Sequence, residues 1–165
     1  MKTFLKTTTI AAAVALASTS ALANDINVEV TGEVEDVCTL TTTGGNPVDS
    51  VENVDLNDTS DQNLGRLIYT CNSGNGFTRT ATSTNGGTLN GESFGQTIDY
   101  DLVFTGEPGL YQKGQPTPNL TKIFAADAGF VAGKTGQVKV NIPSLPAGLY
   151  ADTYSDDVTI AITAN

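Results

Sequence analysis

The sequence has no histidine and no tryptophan, and it contains only two cysteines. Without histidine the chain has no imidazole to act as a general base, and it cannot complete a mixed cysteine–histidine zinc site. Without tryptophan there is no evident aromatic platform for a sugar ring. Because the two cysteines are expected to be bonded to each other, no thiolate nucleophile is left either. These absences predict a protein that is not an enzyme and that has no cofactor and no metal.

Positive charge is also scarce. The chain has 8 lysines and arginines against 18 aspartates and glutamates, for a formal net charge of −10. An acidic surface repels phosphate backbones, so nucleic-acid binding is not expected. No segment approaches the roughly twenty consecutive apolar residues of a transmembrane helix, so no membrane insertion is expected either. Six cations lie scattered beyond the N-terminal segment: Arg66, Arg79, Lys113, Lys122, Lys134 and Lys139.

Residues 1–23 have the pattern of a secretory signal peptide. Lys2 and Lys6 supply the positive start, residues 10–17 form a short apolar stretch, and Ala21-Leu22-Ala23 provides a small-x-small cleavage site. Cleavage would remove both lysines and make the chain more acidic. The segment predicts an exported protein with enough residues left for one domain with its own core.

The segment that follows, residues 24–40, alternates between apolar and polar positions. The odd positions are nearly all polar, and a period of two is typical of a β-strand with one dry face. At about 3.3 Å per residue the run would extend about 50 Å, more than twice the usual strand length. We therefore expect part of this strand to belong in another subunit. The even positions that are apolar, glycine or cysteine are Ile26, Val28, Val30, Gly32, Val34, Cys38 and Leu40.

The rest of the chain shows no convincing helical periodicity. Valine, threonine, isoleucine and tyrosine are plentiful, and 17 glycines punctuate runs of five to eight residues. This pattern predicts an all-β fold with about seven antiparallel strands, an immunoglobulin-like β-sandwich. The region 106–119 is predicted to be a loop. Strands are predicted at residues 64–71, 77–84, 98–104, 123–124 and 137–142, with one or two more between 150 and 162.

Cys38 and Cys71 in an exported chain predict one disulfide. Closing this loop would stabilise the fold by about 3–4 kcal/mol on the chain-entropy model. Two free thiols, or half of a metal site, are the alternatives.

Three local patterns could suggest other chemistry. Residues 128–135 match a relaxed phosphate-binding loop, but a strand pattern follows where that motif needs a helix, so we interpret the match as coincidence. The acidic segment 49–61 could offer oxygens to calcium but lacks the central glycine and closing glutamate, which favours a solvated loop. Asp99 and Asp101 are predicted to project from one strand face about 7 Å apart, as paired carboxylates of a glycosidase could. That face is the polar side of an amphipathic strand, so ordinary solvent exposure explains them.

Several short motifs in order resemble a known family. After the signal and the alternating arm come Cys38, then Tyr69-Thr70-Cys71, then Asn75-Gly76-Phe77-Thr78. The segment Pro146-Ala147-Gly148-Leu149-Tyr150-Ala151-Asp152 precedes an alternating terminal strand. Over essentially the whole mature chain this arrangement resembles the spore coat protein U domain family, to which the major subunits of archaic chaperone–usher pili belong.

The resemblance implies a pilus subunit whose immunoglobulin-like fold lacks its last strand. A periplasmic chaperone would fill the resulting groove, and at an outer-membrane usher the arm of the next subunit would replace it. The implied divisions are 1–23 for the signal, 24–36 for the donor arm and 37–165 for the pilin domain. The implied product is a cell-surface fimbria that supports adhesion and biofilm formation. Ile26, Val28, Val30 and Val34 would plug the groove, Gly32 would allow close approach, and Val158, Ile160 and Ile162 would form the strand that the chaperone contacts.

A different class of function fits the same chain. The arm could fold back as the last strand of its own domain, which would give a self-completed binding module. Such a module would be a free periplasmic or tip-located lectin-like adhesin.

Overall fold

The computed structural model describes residues 29–42 and 54–165. The chain divides into two units, Met1–Glu33 and Val34–Asn165. Of the first unit, residues 29–33 are described, and they are exposed and form no helix or strand. The predicted signal peptide and the first part of the arm lie outside the described residues.

The second unit is built from antiparallel strands, which confirms the predicted all-β class. In the described part, eleven strands and one short helix follow in order: β1 Cys38–Thr42, β2 Gln62–Cys71, β3 Phe77–Ser83, β4 Thr88–Gly91, β5 Thr97–Asp99, β6 Asp101–Gly106, β7 Gln112–Gly114, β8 Asn119–Phe124, α1 Ala128–Ala132, β9 Lys134–Asn141, β10 Tyr154–Ser155 and β11 Val158–Ala164.

The strands form three sheets. The largest has the order β1-β2-β9-β6-β7, the second has the order β11-β3-β8, and a small one has the order β10-β4-β5. Every pairing is antiparallel. The first two are called here the large sheet and the threonine sheet, the latter after the residues on its outer side.

One hydrophobic core joins the large sheet to the threonine sheet, as in a β-sandwich. Along β3 and β9, buried and more exposed positions alternate, so one side of each strand faces the core. Phe77 of β3 stacks on Phe124 of β8 with ring centroids 4.6 Å apart, and Tyr69 of the large sheet lies beside both rings. Phe130 of α1 packs edge-on against Phe77 at 4.8 Å.

The turn before β3 depends on glycine. Gly76 has a φ of 77°, which side chains other than glycine rarely adopt. A Cβ atom at this position would lie 2.0 Å from the carbonyl oxygen of Phe124. The predicted Asn75-Gly76 turn is therefore present, and it also brings the end of β8 against the start of β3.

Several local expectations were wrong. The alternating run 98–104 is two strands, because the chain leaves the small sheet at Asp99 and enters the large sheet at Asp101. The predicted loop 106–119 contains β7, and residues 128–132 form a helix where none was expected. In the arm, residues 29–37 form no strand in this single chain, which does not test the expected pairing with another subunit; the first strand begins at Cys38.

Candidate partner-binding edge

β1 and β11 each have one hydrogen-bonded neighbour in the described part of the chain. β1 pairs with β2 at the edge of the large sheet, and β11 pairs with β3 at the edge of the threonine sheet. The two edge strands approach each other, but no ladder joins them. An edge strand presents backbone N–H and C=O groups along its other side, where a further strand can pair.

Apolar side chains at this edge are only partly covered. Leu40 of β1 and Ile160 and Ile162 of β11 pack against the core but remain half-buried. By contrast, Phe77 and Val138 in the middle of the two sheets are completely buried. Val158, at the start of β11, is 36% exposed. Within the described part of the chain, the edge therefore combines backbone groups that no strand pairs with and apolar surface that still contacts solvent.

The chain enters this edge through an arm root formed by residues 34–37. Asn72 holds the backbone of the root: its Oδ1 accepts from Val37 N at 2.6 Å and its Nδ2 donates to the carbonyl of Glu35 at 3.0 Å. Asn72 N also donates to Val37 O. Val34 and Val37 are nevertheless 83% and 54% exposed. The root is thus anchored through its backbone while its two valines contact solvent.

The C-terminal residue is fixed at the same end of the domain. Asn165 N donates to the Gly76 carbonyl, and Thr78 Oγ1 donates to Asn165 Oδ1 at 2.6 Å. Ser73 Oγ lies 3.2 Å from Asp36 Oδ2 and 3.4 Å from Asn165 O. Ser73 therefore lies between the arm root and Asn165, the residue that directly follows β11.

The other end of β11 is held by Asp156. Its carboxylate accepts from Ser83 Oγ at 2.5 Å, from the Tyr100 hydroxyl at 2.6 Å and from Asn85 N at 3.0 Å. Burial, and then the hydrogen bond to Asp156, raise the pKa of Tyr100 above its usual value, so the phenol stays protonated and donates. β11 is consequently fixed at both ends, which keeps its half-buried isoleucines in position.

A buried arginine lies behind β11. Arg79 of β3 is fully buried and is the register partner of Ile162. Its guanidinium donates to the Tyr69 hydroxyl at 3.0 Å and to Gln112 Oε1 at 2.8 Å, and it stacks over the Phe104 ring at 3.7 Å. The Nε atom has no hydrogen-bond partner among the residues that the structure describes. Burial lowers the pKa of Arg79, since desolvation disfavours the charged form.

The position of Arg79 could have been inferred from the sequence. Phe77 and Ala81 are apolar and lie four residues apart in the strand predicted at residues 77–84, and the period of two places Arg79 on the same face between them. The list of scattered cations does not use this pattern. The strand pattern itself was the signal that this cation is inside the fold.

The disulfide between Cys38 and Cys71 is confirmed. The two residues are register partners of β1 and β2, with Cα atoms 4.0 Å apart. The bond ties the edge strand β1 to the interior of the large sheet, immediately after the arm root.

The predicted donor positions are described only in part. Ile26 and Val28 lie outside the described residues. Val30 is 90% exposed, and an added Cβ at Gly32 would meet nothing within 4 Å. Val34 is the member of the set that belongs to the second unit, and its side chain is also free of burial.

The patterns that suggested other chemistry find no support among the described residues. Asp99 and Asp101 lie in different sheets, so the expectation of a shared strand face was wrong. In residues 128–135 the helix precedes the glycine–lysine pair, and Lys134 Nζ pairs with Asp127 at 2.7 Å. In the described part of the acidic segment, Asp55 and Asp58 accept from nearby backbone N–H groups. No acidic or cysteine cluster able to hold a metal occurs in residues 29–42 and 54–165.

None of the helices among the described residues is long and apolar enough to cross a membrane. Compared with known proteins, the chain matches no protein-family model and no curated protein. The edge formed by β1 and β11 is therefore interpreted from its own geometry.

Proposed function

We propose that this protein is the structural subunit of a surface fimbria, and that subunits join when the arm of one copy pairs with the β1–β11 edge of the next. The observation that supports this most directly is the edge itself. Among the described residues it offers backbone positions without a strand partner on β1 and β11, and half-buried Leu40, Ile160 and Ile162 on the same two strands. An added strand would pair with these backbone groups and cover these apolar side chains. Strand addition to a sheet edge is a known mode of pilin assembly.

The arm has the matching chemistry. Its even positions over residues 26–34 are apolar except for Gly32, and Val34 at its end is exposed in the single chain. Burying four aliphatic side chains at about 1.5–3 kcal/mol each would contribute about 6–12 kcal/mol before ordering costs are subtracted. Because the arm and the edge are different surfaces, the contact is head-to-tail and propagates as a fibre.

A fimbrial subunit has to be exported. The signal pattern and the disulfide suit an oxidising envelope compartment. A periplasmic chaperone would cover the edge before assembly, since an exposed apolar edge strand is an aggregation hazard. An outer-membrane usher would then be the place of exchange.

The experiment compares purified secreted protein on SDS gels without heating. The native chain is expected to give a ladder of SDS-resistant multimers. Val28→Asp with Val30→Asp places two charges on the groove face of the arm and should abolish the ladder while secretion continues. The matched control, Asn27→Asp with Thr31→Asp, adds the same charge on the opposite face and should leave the ladder intact.

Two outcomes would contradict the proposal. A normal ladder from the Val28→Asp, Val30→Asp variant would exclude the arm as the donor. A single monomer band from the native chain that survives dilution would favour the self-completed binding module instead.

A further inference from the structure

The outer side of the threonine sheet has no charged side chain. It carries nine positions in three rows across β11, β3 and β8, all exposed or half-buried. The register gives the rows as Thr159–Thr82–Asn119, Ala161–Thr80–Thr121 and Thr163–Thr78–Ile123. These nine residues are called here the threonine face.

The absence of charge on this face is unusual for the chain. The protein has 18 acidic residues and a net charge of −10. The large sheet differs in this respect, because its register places four charged residues on one of its sides: Arg66, Asp101, Lys113 and Lys139. Two copies of an acidic protein repel each other wherever acidic surfaces meet. The threonine face is a surface on which they can approach without placing like charges together.

We propose that the threonine face binds the same face of a second copy and holds neighbouring fibres side by side. Threonine and isoleucine are stiff at χ1, so little side-chain freedom is lost on contact. Each threonine hydroxyl can both donate and accept a hydrogen bond. Within the face, Thr82 Oγ1 already donates to Asn119 Oδ1 at 2.7 Å. The same surface on both partners gives a two-fold, self-complementary contact.

The small size of the threonine face makes the contact weak between single subunits and stronger between fibres. Nine residues on each side are fewer than the roughly 20–30 of a stable interface, so isolated subunits bind one another weakly. Along two fibres the contact repeats, and linked sites can raise the overall affinity about 10²–10⁴-fold. The side-by-side arrangement of fibres rests on the proposed function, whereas the weak contact between single copies does not.

The test uses fibres sheared from cells that express the native chain or a variant. Thr80→Glu with Thr121→Glu places two charges in the middle row of the face. The control, Thr97→Glu with Thr105→Glu, adds equal charge on β5 and β6. Bundles are scored by electron microscopy and by low-speed pelleting, and an unheated gel run in parallel reports assembly of the fibre.

Native and control fibres are expected to bundle, and bundling should increase from about 0.01 to 0.5 M salt as the surrounding acidic surface is screened. The Thr80→Glu, Thr121→Glu fibres should stay single with an unchanged gel ladder. If that variant folds poorly by circular dichroism, Ile123→Glu, at a position 73% exposed, makes the same test.

The proposal is overturned if native fibres stay single at every salt concentration, if they bind only a foreign surface through this face, or if the face variant bundles like the control. If no chain gives a ladder, the proposed fibre is wrong. Sedimentation equilibrium of single subunits at millimolar concentration then shows whether the threonine face binds a second copy. Dimers of the native and control chains, lost in the face variant, support it, and their absence refutes it.

Discussion

Arg79 allows a sharp test of how the two sheets are held together. The side chain is fully buried, its guanidinium lies 3.7 Å from the Phe104 centroid, and it makes two side-chain hydrogen bonds. The ion pairs among the described residues join Lys113 to Asp101 and Lys134 to Asp127, so Arg79 has no carboxylate partner there. We predict that Arg79→Lys, which keeps the charge, is less stable than Arg79→Met, which removes it.

The magnitude follows from what each side chain can replace. Lysine has no planar face to lie on Phe104, an interaction of about 0.5–2 kcal/mol, and it loses one hydrogen bond from a charged group, about 1.5–3 kcal/mol. We expect Arg79→Lys to cost about 2–5 kcal/mol. Methionine leaves the Tyr69 hydroxyl without its partner, at about 1–3 kcal/mol, but it removes a buried charge and fills similar volume. We expect Arg79→Met to lie within about 2 kcal/mol of the native chain.

The pH dependence separates the two variants further. A buried lysine has a pKa below its unfolded value of about 10.4, so the unfolded state binds more protons near neutral pH. The free energy of unfolding of Arg79→Lys should therefore rise from pH 7 to pH 9 relative to that of Arg79→Met. Urea unfolding followed by circular dichroism, with the disulfide intact, measures both quantities. If Arg79→Lys is at least as stable as Arg79→Met at pH 7, the buried charge itself stabilises the fold and the reasoning fails.

Two further predictions concern the ends of the candidate edge. Asn72→Ala should abolish the hydrogen-exchange protection of the Val37 amide and cost about 1–2 kcal/mol, since two side-chain bonds to the arm root are lost; unchanged protection would show that the root is held by other contacts. Burial raises the pKa of Tyr100 and of Tyr69, so the folded state keeps phenolic protons that the unfolded state loses near pH 10. The free energy of unfolding should then fall as pH rises above about 10, and less steeply in Tyr100→Phe; an equal slope in both chains would argue against this origin.

The strand pattern predicted the fold class well because burial in a sheet has a local signature. β2, β3 and β9 were all expected within a few residues of their observed bounds. The same alternation did not predict the break between two strands at Tyr100. Ile98, Tyr100, Leu102 and Phe104 are all buried, so the alternation continues unbroken while the chain passes from one sheet to another. A period of two reports which side of a strand is dry, not which sheet contains it.

The helix α1 and the buried cation were missed for other physical reasons. Five residues are too few to show a helical period, and Phe130 alone reaches the core. The one local signal was Asp127, whose side chain accepts from Gly129 N at the start of the helix. Arg79 was overlooked because charge predicts exposure in general, whereas its stem and planar head here fill a space between aromatic rings.

The arm root sets a limit on the proposed exchange that the sequence did not give. Glu35 and Val37 are hydrogen-bonded to Asn72, so an arm that pairs with another copy while this root stays in place would end at Val34, short of the expected residue 36. The nine residues 26–34, at about 3.3 Å each, extend about 30 Å, while the seven residues of β11 extend about 23 Å. The shorter arm is thus still long enough to cover the whole edge strand. Since Val34 lies next to the residues that Asn72 holds, its insertion into another copy would bring the two domains into close contact. The anchored root would then restrict the angle between successive subunits.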